Sequence, residues 1–140
     1  MLRRTSWVPV LAAGLAWGAA SCATGTGGTP DVHAAWESAM EDVVGPVYDD
    51  ILVPEAERAD GGMRFDIVAA EADRAADVMA LGHGRLAWLD VPRFATLAAE
   101  SEAWLRGIAA SARAGDAATT RRAILDGELD HCDRCHAACR

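Results

Sequence analysis

The sequence contains no lysine, so its 13 basic residues are all arginine, and they are outnumbered by 21 acidic residues. The resulting formal charge of −8 excludes the extended basic face that binding to a nucleic-acid backbone or to anionic lipid headgroups needs. Only 6% of the 140 residues are aromatic and only five are proline, although 51% are hydrophobic, much of that alanine. Such a composition favours helices over sheets and is typical of a folded chain, whose length here allows one domain.

The N-terminal residues have the pattern of an export signal. Arg3 and Arg4 precede an almost wholly apolar run, Trp7 to Ala20, and small residues then lead to Cys22. The run is shorter than the roughly 20 residues that a membrane-spanning helix needs, and a positively charged start before a short apolar run is typical of a signal peptide. We therefore expect residues 1–21 to be removed on export to the periplasm. The alternative is that they form the first buried helix of the fold.

The end of this segment resembles the lipobox of bacterial lipoproteins, in which the cysteine becomes the lipidated first residue of the mature chain. Cys22 has that position, and residues 22–29 form a tether rich in glycine and threonine that has little to contribute to a core. The sequence thus predicts a membrane-anchored protein, with ordinary signal cleavage and a soluble periplasmic protein as the alternative. Residues 1–21 hold two arginines and no acidic residue, so the charge of −8 becomes −10 once they are removed.

Residues 30–140 predict four helices separated by turn signals. The first helix starts at Thr29-Pro30-Asp31, with a kink or break at Gly45-Pro46 and a loop from Pro54 to Gly62. The second covers about Met63 to Leu81 and the third about Pro92 to Ala114. The fourth runs from the turn Gly115-Asp116 towards Arg140. Four helices joined by modest loops favour an antiparallel four-helix bundle, so the predicted fold class is all-α.

Apolar residues recur every three or four positions in each segment, which indicates one buried stripe per helix. In the first helix the stripe is Trp36, Met40, Val43, Val47 and Ile51. In the second it is Phe65, Val68, Ala72, Ala75 or Ala76, and Met79, and in the third it is Phe94, Leu97, Ser101, Trp104, Leu105 and Ile108. In the fourth it is Ile124, Leu125, Leu129, Cys132 and His136.

The residues from Cys132 to His136 read C-x-x-C-H, which in an exported protein is the signature of covalent haem attachment. The thiols of Cys132 and Cys135 would form thioethers with the two haem vinyl groups, and His136 would bind the iron from one side. Residues three and four apart share one face of a helix, so these three side chains converge. The sequence therefore predicts one covalent haem c on the C-terminal helix.

Other interpretations of the same cysteines remain open. Cys132 and Cys135 could form a thioredoxin-type disulfide, although that motif begins a helix after a strand and no strand pattern is present. A zinc site could use Cys132, Cys135, Cys139 and a histidine, although such sites usually organise a short loop. Cys139 itself lies one turn from Cys135, which is too local for a disulfide within one helix, and we expect it to be a buried packing residue.

The chain resembles the cytochrome c-prime family, including the low-spin relatives of that family. The resemblance covers residues 30–140 and rests on the haem motif near the C-terminus, with Arg140 in the family's position and Cys139 where an aromatic residue is usual. Further residues follow the order found in the family's third helix: Trp88, Phe94 and Gly115-Asp116. The resemblance implies a four-helix bundle with one haem, thioethers at Cys132 and Cys135, His136 as the proximal iron ligand, and a tendency to form homodimers.

For the opposite side of the iron, the family offers two arrangements. Some members block that side with an apolar residue and leave the iron five-coordinate, whereas relatives bind it with a methionine of the first helix. Met40 has the position of that methionine, with Trp36 where an arginine is common, so the resemblance implies Met40 as the distal ligand. His33 is a second candidate for that role, and core packing of Met40 is the alternative. Met63 and Met79 are expected to be core residues.

These features predict an electron carrier in the periplasm, not an enzyme, whose acidic surface would attract a redox partner with a basic surface. The first alternative is a five-coordinate haem protein that binds nitric oxide or carbon monoxide. The second is a haemless metal-binding lipoprotein. His83 and His131 are expected to be surface residues. The arginines available to pair with haem propionates are Arg64, Arg85, Arg93 and Arg134.

Overall fold

The structure is a computed structural model that describes residues 30–58, 62–83 and 93–138. Every regular element in these ranges is a helix and none is a strand, so the predicted all-α class is confirmed. No helix in the same ranges combines the length and the apolar character that a bilayer-spanning segment needs. The predictions for the signal peptide and the tether lie outside the described residues, as do those for Cys22, Arg85, Trp88, Cys139, Arg140 and the side chain of His33.

The first helical segment, residues 30–57, is one run of helix whose turns vary in width. It consists of α1 (Pro30–Ala39), the π-helical stretches π1 (Met40–Val44) and π2 (Val47–Leu52), and α2 (Val53–Glu57). The backbone stays helical through Gly45-Pro46, with wide turns on both sides, so the helix does not break there. The predicted loop from Pro54 to Gly62 is wrong over residues 54–57, because the helix continues through Pro54 to the end of α2, whereas residues 58 and 62 are not helical.

The next two helices, α3 (Phe65–His83) and α4 (Phe94–Arg113), agree with the predicted second and third segments to within a few residues. They form the largest helix–helix contact in the described part of the chain. Ion pairs join His83 to Glu102, Asp77 to Arg106 at 2.6 Å, and Asp73 to Arg113. Residue numbers fall along α4 as they rise along α3, so the two helices are antiparallel.

The last helical segment, residues 117–138, follows the predicted turn. Gly115 has a φ of +68°, and the Asp116 side chain accepts a hydrogen bond from the Thr119 N–H at 3.0 Å, which caps the helix. The segment consists of α5 (Ala117–Gly127), π3 (Glu128–Cys132) and α6 (Asp133–Ala138). The predicted fourth helix is therefore confirmed over the described residues, with one wide stretch inside it.

Contacts along the last segment fix its two neighbours. Towards α4, the Thr120 hydroxyl donates to the Ser111 hydroxyl at 2.8 Å, and Arg134 pairs with Glu100 at 2.9 Å. These pairs run in opposite directions along the two helices. Towards the first segment, the hydroxyl of Tyr48 donates to a carbonyl of α5 at 2.8 Å. The last segment thus contacts both α4 and the first segment, and its C-terminal half lies near Met40.

The predicted apolar stripes of α3 and α4 are confirmed, because their members are buried or partly buried in one core. The stripe of the last segment is wrong at Leu125 and Leu129, which are 43% and 69% exposed. His136, the last member of the predicted stripe, is exposed as well, whereas Ile124 is buried as predicted. Thr120 and Gly127, which the predicted stripe does not include, are also buried. The Trp104 indole lies against Gly127, where a Cβ would not fit, and this contact sets the orientation of the helix.

Candidate cofactor-binding cavity

A cavity of about 410 Å³ opens between the first and last helical segments. That volume is within the range of about 300–1,000 Å³ typical of sites for small molecules and cofactors. All four helical segments contribute to its wall, most of which is apolar. The residues that line it are Met40, Glu41, Val44, Gly45, Tyr48, Asp49, Met79, Ser101, Trp104, Leu105, Glu128, His131, Cys132, Asp133, Cys135 and His136.

The three residues of the predicted haem motif meet at one side of this cavity. Cys132 is the last residue of π3, and Cys135 and His136 follow within α6. The two cysteines are partly exposed, while His136 is exposed at the cavity mouth. The helical spacing of three and four residues places them on one face, as the sequence predicts.

Met40 lines the same cavity from the first helical segment, where it is the first residue of π1 and is partly buried. The structure therefore brings together Met40 and the Cys132 to His136 motif, which lie more than 90 residues apart in the chain. Met79, expected to be a core residue only, is buried and also lines the cavity. Met63 is buried in the core and is not part of the cavity wall.

All three π-helical stretches in the described residues contribute to the cavity wall. Each is closed by a backbone hydrogen bond across five residues: Gly45 N–H to Met40 O, Val53 N–H to Tyr48 O, and Asp133 N–H to Glu128 O. Such widened turns often occur at functional sites. On the first segment the lining residues form two columns with a spacing of four, namely 40, 44, 48 and 41, 45, 49. Six residues of the first segment, spread over residues 40–49, thus face the cavity.

An aromatic cluster that the sequence did not reveal forms the inner wall. Trp104 stacks on His131 with ring centroids 4.8 Å apart and planes 11° from parallel, and its centroid lies 5.8 Å from that of Tyr48. The indole N–H donates to the Ala123 carbonyl at 2.8 Å. His131, expected at the surface, is therefore half-buried against Trp104, while the Tyr48 hydroxyl is bound to the Ile124 carbonyl.

The cavity wall disfavours charge on the groups it buries. Burial raises the pKa of the Cys132 thiol to about 11, and the nearby Glu128 and Asp49 carboxylates act in the same direction. Burial also raises the pKa of Tyr48 to about 12 and lowers the pKa of His131. The thiol of Cys132 is therefore protonated at neutral pH, which keeps the fraction of reactive thiolate low.

The mouth of the cavity is acidic. Four carboxylates line it: Glu41, Asp49, Glu128 and Asp133. None of the arginines predicted to pair with propionates lines the cavity in the described residues. Arg64 instead binds Glu55, Arg134 binds Glu100, and Arg93 is exposed with a φ of +70° just before α4.

The remaining histidine prediction needs a correction. His83, predicted to be a surface residue, is the last residue of α3, is only about one-third exposed and pairs with Glu102 of α4. The reason is that the helix continues beyond Leu81 through Gly82, a position where the Trp36 indole and Ala98 leave no space for a Cβ. His83 therefore joins the ion pairs between α3 and α4 and is not part of the cavity.

Two properties of the cavity suit a covalently held haem. Its wall is mainly apolar, and it presents two thiols and an imidazole on one side and a thioether on the other. Groups of three or more histidine, cysteine or acidic side chains able to hold a metal ion directly are absent from residues 30–58, 62–83 and 93–138. The zinc site with Cys139 involves a residue outside these ranges.

Comparison of the chain with profiles of known protein families, with curated proteins and with solved structures gave no significant match.

Proposed function

We propose that this protein is an electron-transfer c-type cytochrome that holds one covalent haem in the 410 Å³ cavity. In this proposal Cys132 and Cys135 form the thioethers, His136 is the proximal iron ligand, and Met40 is the distal ligand. The observation that carries it is the convergence of these four residues on one cavity, although Met40 belongs to the first helical segment and the others to the last.

The proposed architecture is an antiparallel four-helix bundle similar to that of the cytochrome c-prime family. Opposite chain directions in the α3–α4 and α4–last-segment pairs support it. Contacts between the last segment and the first bring the fourth helix beside the first. In such a bundle a cofactor site forms between side chains on facing helices.

Haem iron held by histidine and methionine supplies a one-electron couple at a raised reduction potential, which suits electron transfer. The chain's own residues define the conditions for that couple. His136 and Met40 would fix the coordination of the iron. Tyr48 and Trp104, both hydrogen-bonded to backbone carbonyls, keep the inner wall apolar and ordered. The carboxylates at the mouth give the site a negative field, which would attract a positively charged partner surface.

A periplasmic location completes the proposal. The predicted signal peptide of residues 1–21 would direct export, and lipidation of Cys22 would hold the domain at a membrane. This compartment is where the C-x-x-C-H motif serves for haem attachment. The protein would act with a basic redox partner, not as an enzyme.

Gas binding is the second candidate function. In addition to Met40, the apolar residues Val44, Met79 and Leu105 line the same cavity. They would surround a small ligand if Met40 did not bind the iron. The protein would then bind nitric oxide or carbon monoxide at a five-coordinate iron. The coordination of the iron therefore distinguishes the two functions.

The test of the proposal is expression of the full chain together with a cytochrome c maturation system. One haem should remain with the protein after acid-acetone extraction, and the oxidised and reduced optical spectra should be those of a six-coordinate low-spin haem. The double variant Cys132→Ala, Cys135→Ala should lose its haem into the solvent. Extraction of all haem from the unmodified chain would refute the assignment, and a high-spin spectrum that changes on addition of carbon monoxide would favour gas binding.

A further inference from the structure

The last helical segment has an apolar face that no described residue covers. Leu125 and Leu129 are four residues apart, so they lie on the same side of the helix, and they are 43% and 69% exposed. A single exposed leucine is ordinary. Two on one helix face, where the neighbouring inward positions Ile124 and Gly127 are buried, make a small apolar surface directed at solvent.

This apolar face borders the mouth of the cavity. Leu129 lies within π3, between Glu128, which lines the cavity, and Asp130, which is exposed. Cys132, one of the proposed haem thioethers, lies three residues further on and ends the same stretch. A molecule that covered Leu129 would therefore be close to the haem edge.

Charge is segregated in the fold, and its unbalanced part lies on the first and last helical segments, several of whose carboxylates line the cavity. Residues 30–57 contain eight acidic residues and no arginine, and residues 123–133 contain four acidic residues and no arginine. Nine of these carboxylates are exposed and form no ion pair with the described residues. Six of the nine line the cavity or directly adjoin a lining residue in the chain, and their carboxylates form no hydrogen bond with the described residues: Glu41, Asp49, Asp50, Glu128, Asp130 and Asp133.

The contact between α3 and α4 has a different electrostatic character. Asp73 pairs there with Arg106 and Arg113, and Asp77 pairs with Arg106. These two acidic residues are balanced by arginines of the neighbouring helix. Because the two regions differ, the field at the cavity mouth would orient a charged partner towards it.

We propose that Leu125 and Leu129, together with the six unpaired carboxylates, form a docking face for a redox partner whose own surface carries lysine or arginine around an apolar centre. An apolar centre with a polar, charged rim is the usual layout of a protein–protein interface. This inference rests on the proposed function, since the partner would exchange electrons with a haem in the adjacent cavity.

The negative charge of this face favours a basic protein partner over a second copy of the chain or an anionic membrane. A second copy of the chain, docked on the same face, would bring the same uncompensated carboxylates together, and like charges in contact oppose association. An anionic membrane surface is repelled for the same reason. A basic protein surface is attracted, and its apolar centre would cover the two leucines.

The experiment measures electron transfer from the reduced, haem-loaded protein to a lysine-rich cytochrome of the mitochondrial type, used as a basic probe, by stopped-flow absorbance. Leu129→Gln should lower the second-order rate constant by about threefold to tenfold. The matched control is Leu81→Gln, because Leu81 is an exposed leucine on α3 at 46%. The charge is tested in the same way: Asp130→Asn should lower the rate constant more than Asp66→Asn, whose residue is an exposed carboxylate on α3.

The docking face predicts that the rate constant falls as ionic strength rises and that Leu129→Gln acts more strongly than Leu81→Gln. Equal effects of the two leucine variants, or a rate constant independent of ionic strength, would overturn it. So would a dimer in sedimentation that dissociates in Leu129→Gln, because a second copy would then occupy the face. Oxidation by ferricyanide and the low-spin spectrum test the haem itself and do not depend on the docking face. If the unmodified protein shows neither, the proposed function is refuted. If it shows both and the rate constants do not differ as expected, only the docking face is refuted.

Discussion

The indole of Trp104 occupies the space that a side chain on Gly127 would need. Any Cβ at Gly127 would collide with the ring, so this glycine allows α4 and the last helical segment to approach closely. The same indole donates to the Ala123 carbonyl and stacks on His131, which precedes Cys132, the first of the two cysteines proposed to bind haem. One contact therefore fixes both the packing of the last segment and the inner wall of the cavity.

Gly127→Ala should destabilise the protein, because the added methyl forces Trp104 out of its place and breaks its hydrogen bond. We expect the free energy of unfolding to fall by about 2–3 kcal/mol, as for other overpacked sites. Urea denaturation followed by circular dichroism measures it. Gly107→Ala is the control, since Gly107 lies in α4 with open space around it, and alanine there should stabilise by about 0.5–1 kcal/mol. Equal stability of the two variants would contradict the role given to Gly127.

Met40→Ala should convert the proposed low-spin haem to a high-spin form, because it removes the distal thioether from the iron. The optical spectrum of the oxidised protein would report the change, and carbon monoxide should then bind readily to the reduced protein. Met63→Ala is the matched control, because Met63 is buried but does not line the cavity. Its spectrum should match that of the unmodified protein.

A low-spin spectrum retained in Met40→Ala would remove Met40 as the ligand. The double variant Met40→Ala, Met79→Ala then distinguishes the second methionine of the cavity wall from a histidine. Loss of the low-spin spectrum only in the double variant would identify Met79 as the ligand.

The carboxylate of Glu55 links stability to pH. Its side chain is 1% exposed and accepts hydrogen bonds from the backbone N–H of Arg64 at 2.9 Å and from Nε of the same residue at 2.8 Å. The hydrogen bonds from Arg64 hold the pKa of Glu55 below its usual range. The folded state thus favours the ionised form. The stabilisation is present above the unfolded-state pKa of about 4.3 and is lost as pH falls through the lower folded-state pKa.

Glu55→Gln should lower the free energy of unfolding at pH 7 by about 2 kcal/mol, because the hydrogen bonds from Arg64 lose their charged acceptor. The difference from the unmodified protein should shrink as the pH is lowered towards 3. Urea denaturation at several pH values gives both results. Glu57→Gln, at an exposed carboxylate two residues away, is the control and should change stability little. A difference that stays constant between pH 7 and pH 3 would contradict the assignment.

Cys22→Ala should release the protein from membranes, because the proposed acyl chains would no longer be attached. Each methylene buried in the bilayer contributes about 0.8 kcal/mol to anchoring, so loss of the acyl chains should move the protein to the soluble fraction. Ultracentrifugation of lysed cells followed by immunoblotting measures the distribution. Ser21→Ala keeps the cysteine and serves as the control. Sedimentation of Cys22→Ala with the membranes would show that the anchor lies elsewhere.

Local signals in the sequence predicted much of the fold. The bounds of α3 and α4 follow from their apolar periodicity, and the Gly115-Asp116 turn follows from a glycine that tolerates positive φ and a side chain that caps a helix. Each of these signals acts within a few residues. The spacing of residues along the chain was therefore sufficient to predict these helix bounds and this turn.

Other features depend on contacts between distant residues and could not be predicted. The burial of Leu125 and Leu129 was wrong because the close approach of Trp104 to Gly127 decides which face of the last segment turns inward. The haem motif could be found from its spacing. The aromatic wall and the position of Met79 could not, because tertiary packing brings these residues together from all four helical segments.

The wide turn at Glu128–Cys132 has a consequence for helical phase. In a regular α-helix each residue advances the chain by about 100° around the axis, so one residue more or less in a turn rotates everything that follows by a comparable angle. Ile124 is anchored in the core before this turn, and Cys135 and His136 follow it. The turn therefore sets the rotational offset between the half of the helix that packs and the half that would bind the cofactor. Deletion of a single residue from this turn would rotate Cys135 and His136 about the helix axis and leave the packing of Ile124 unchanged.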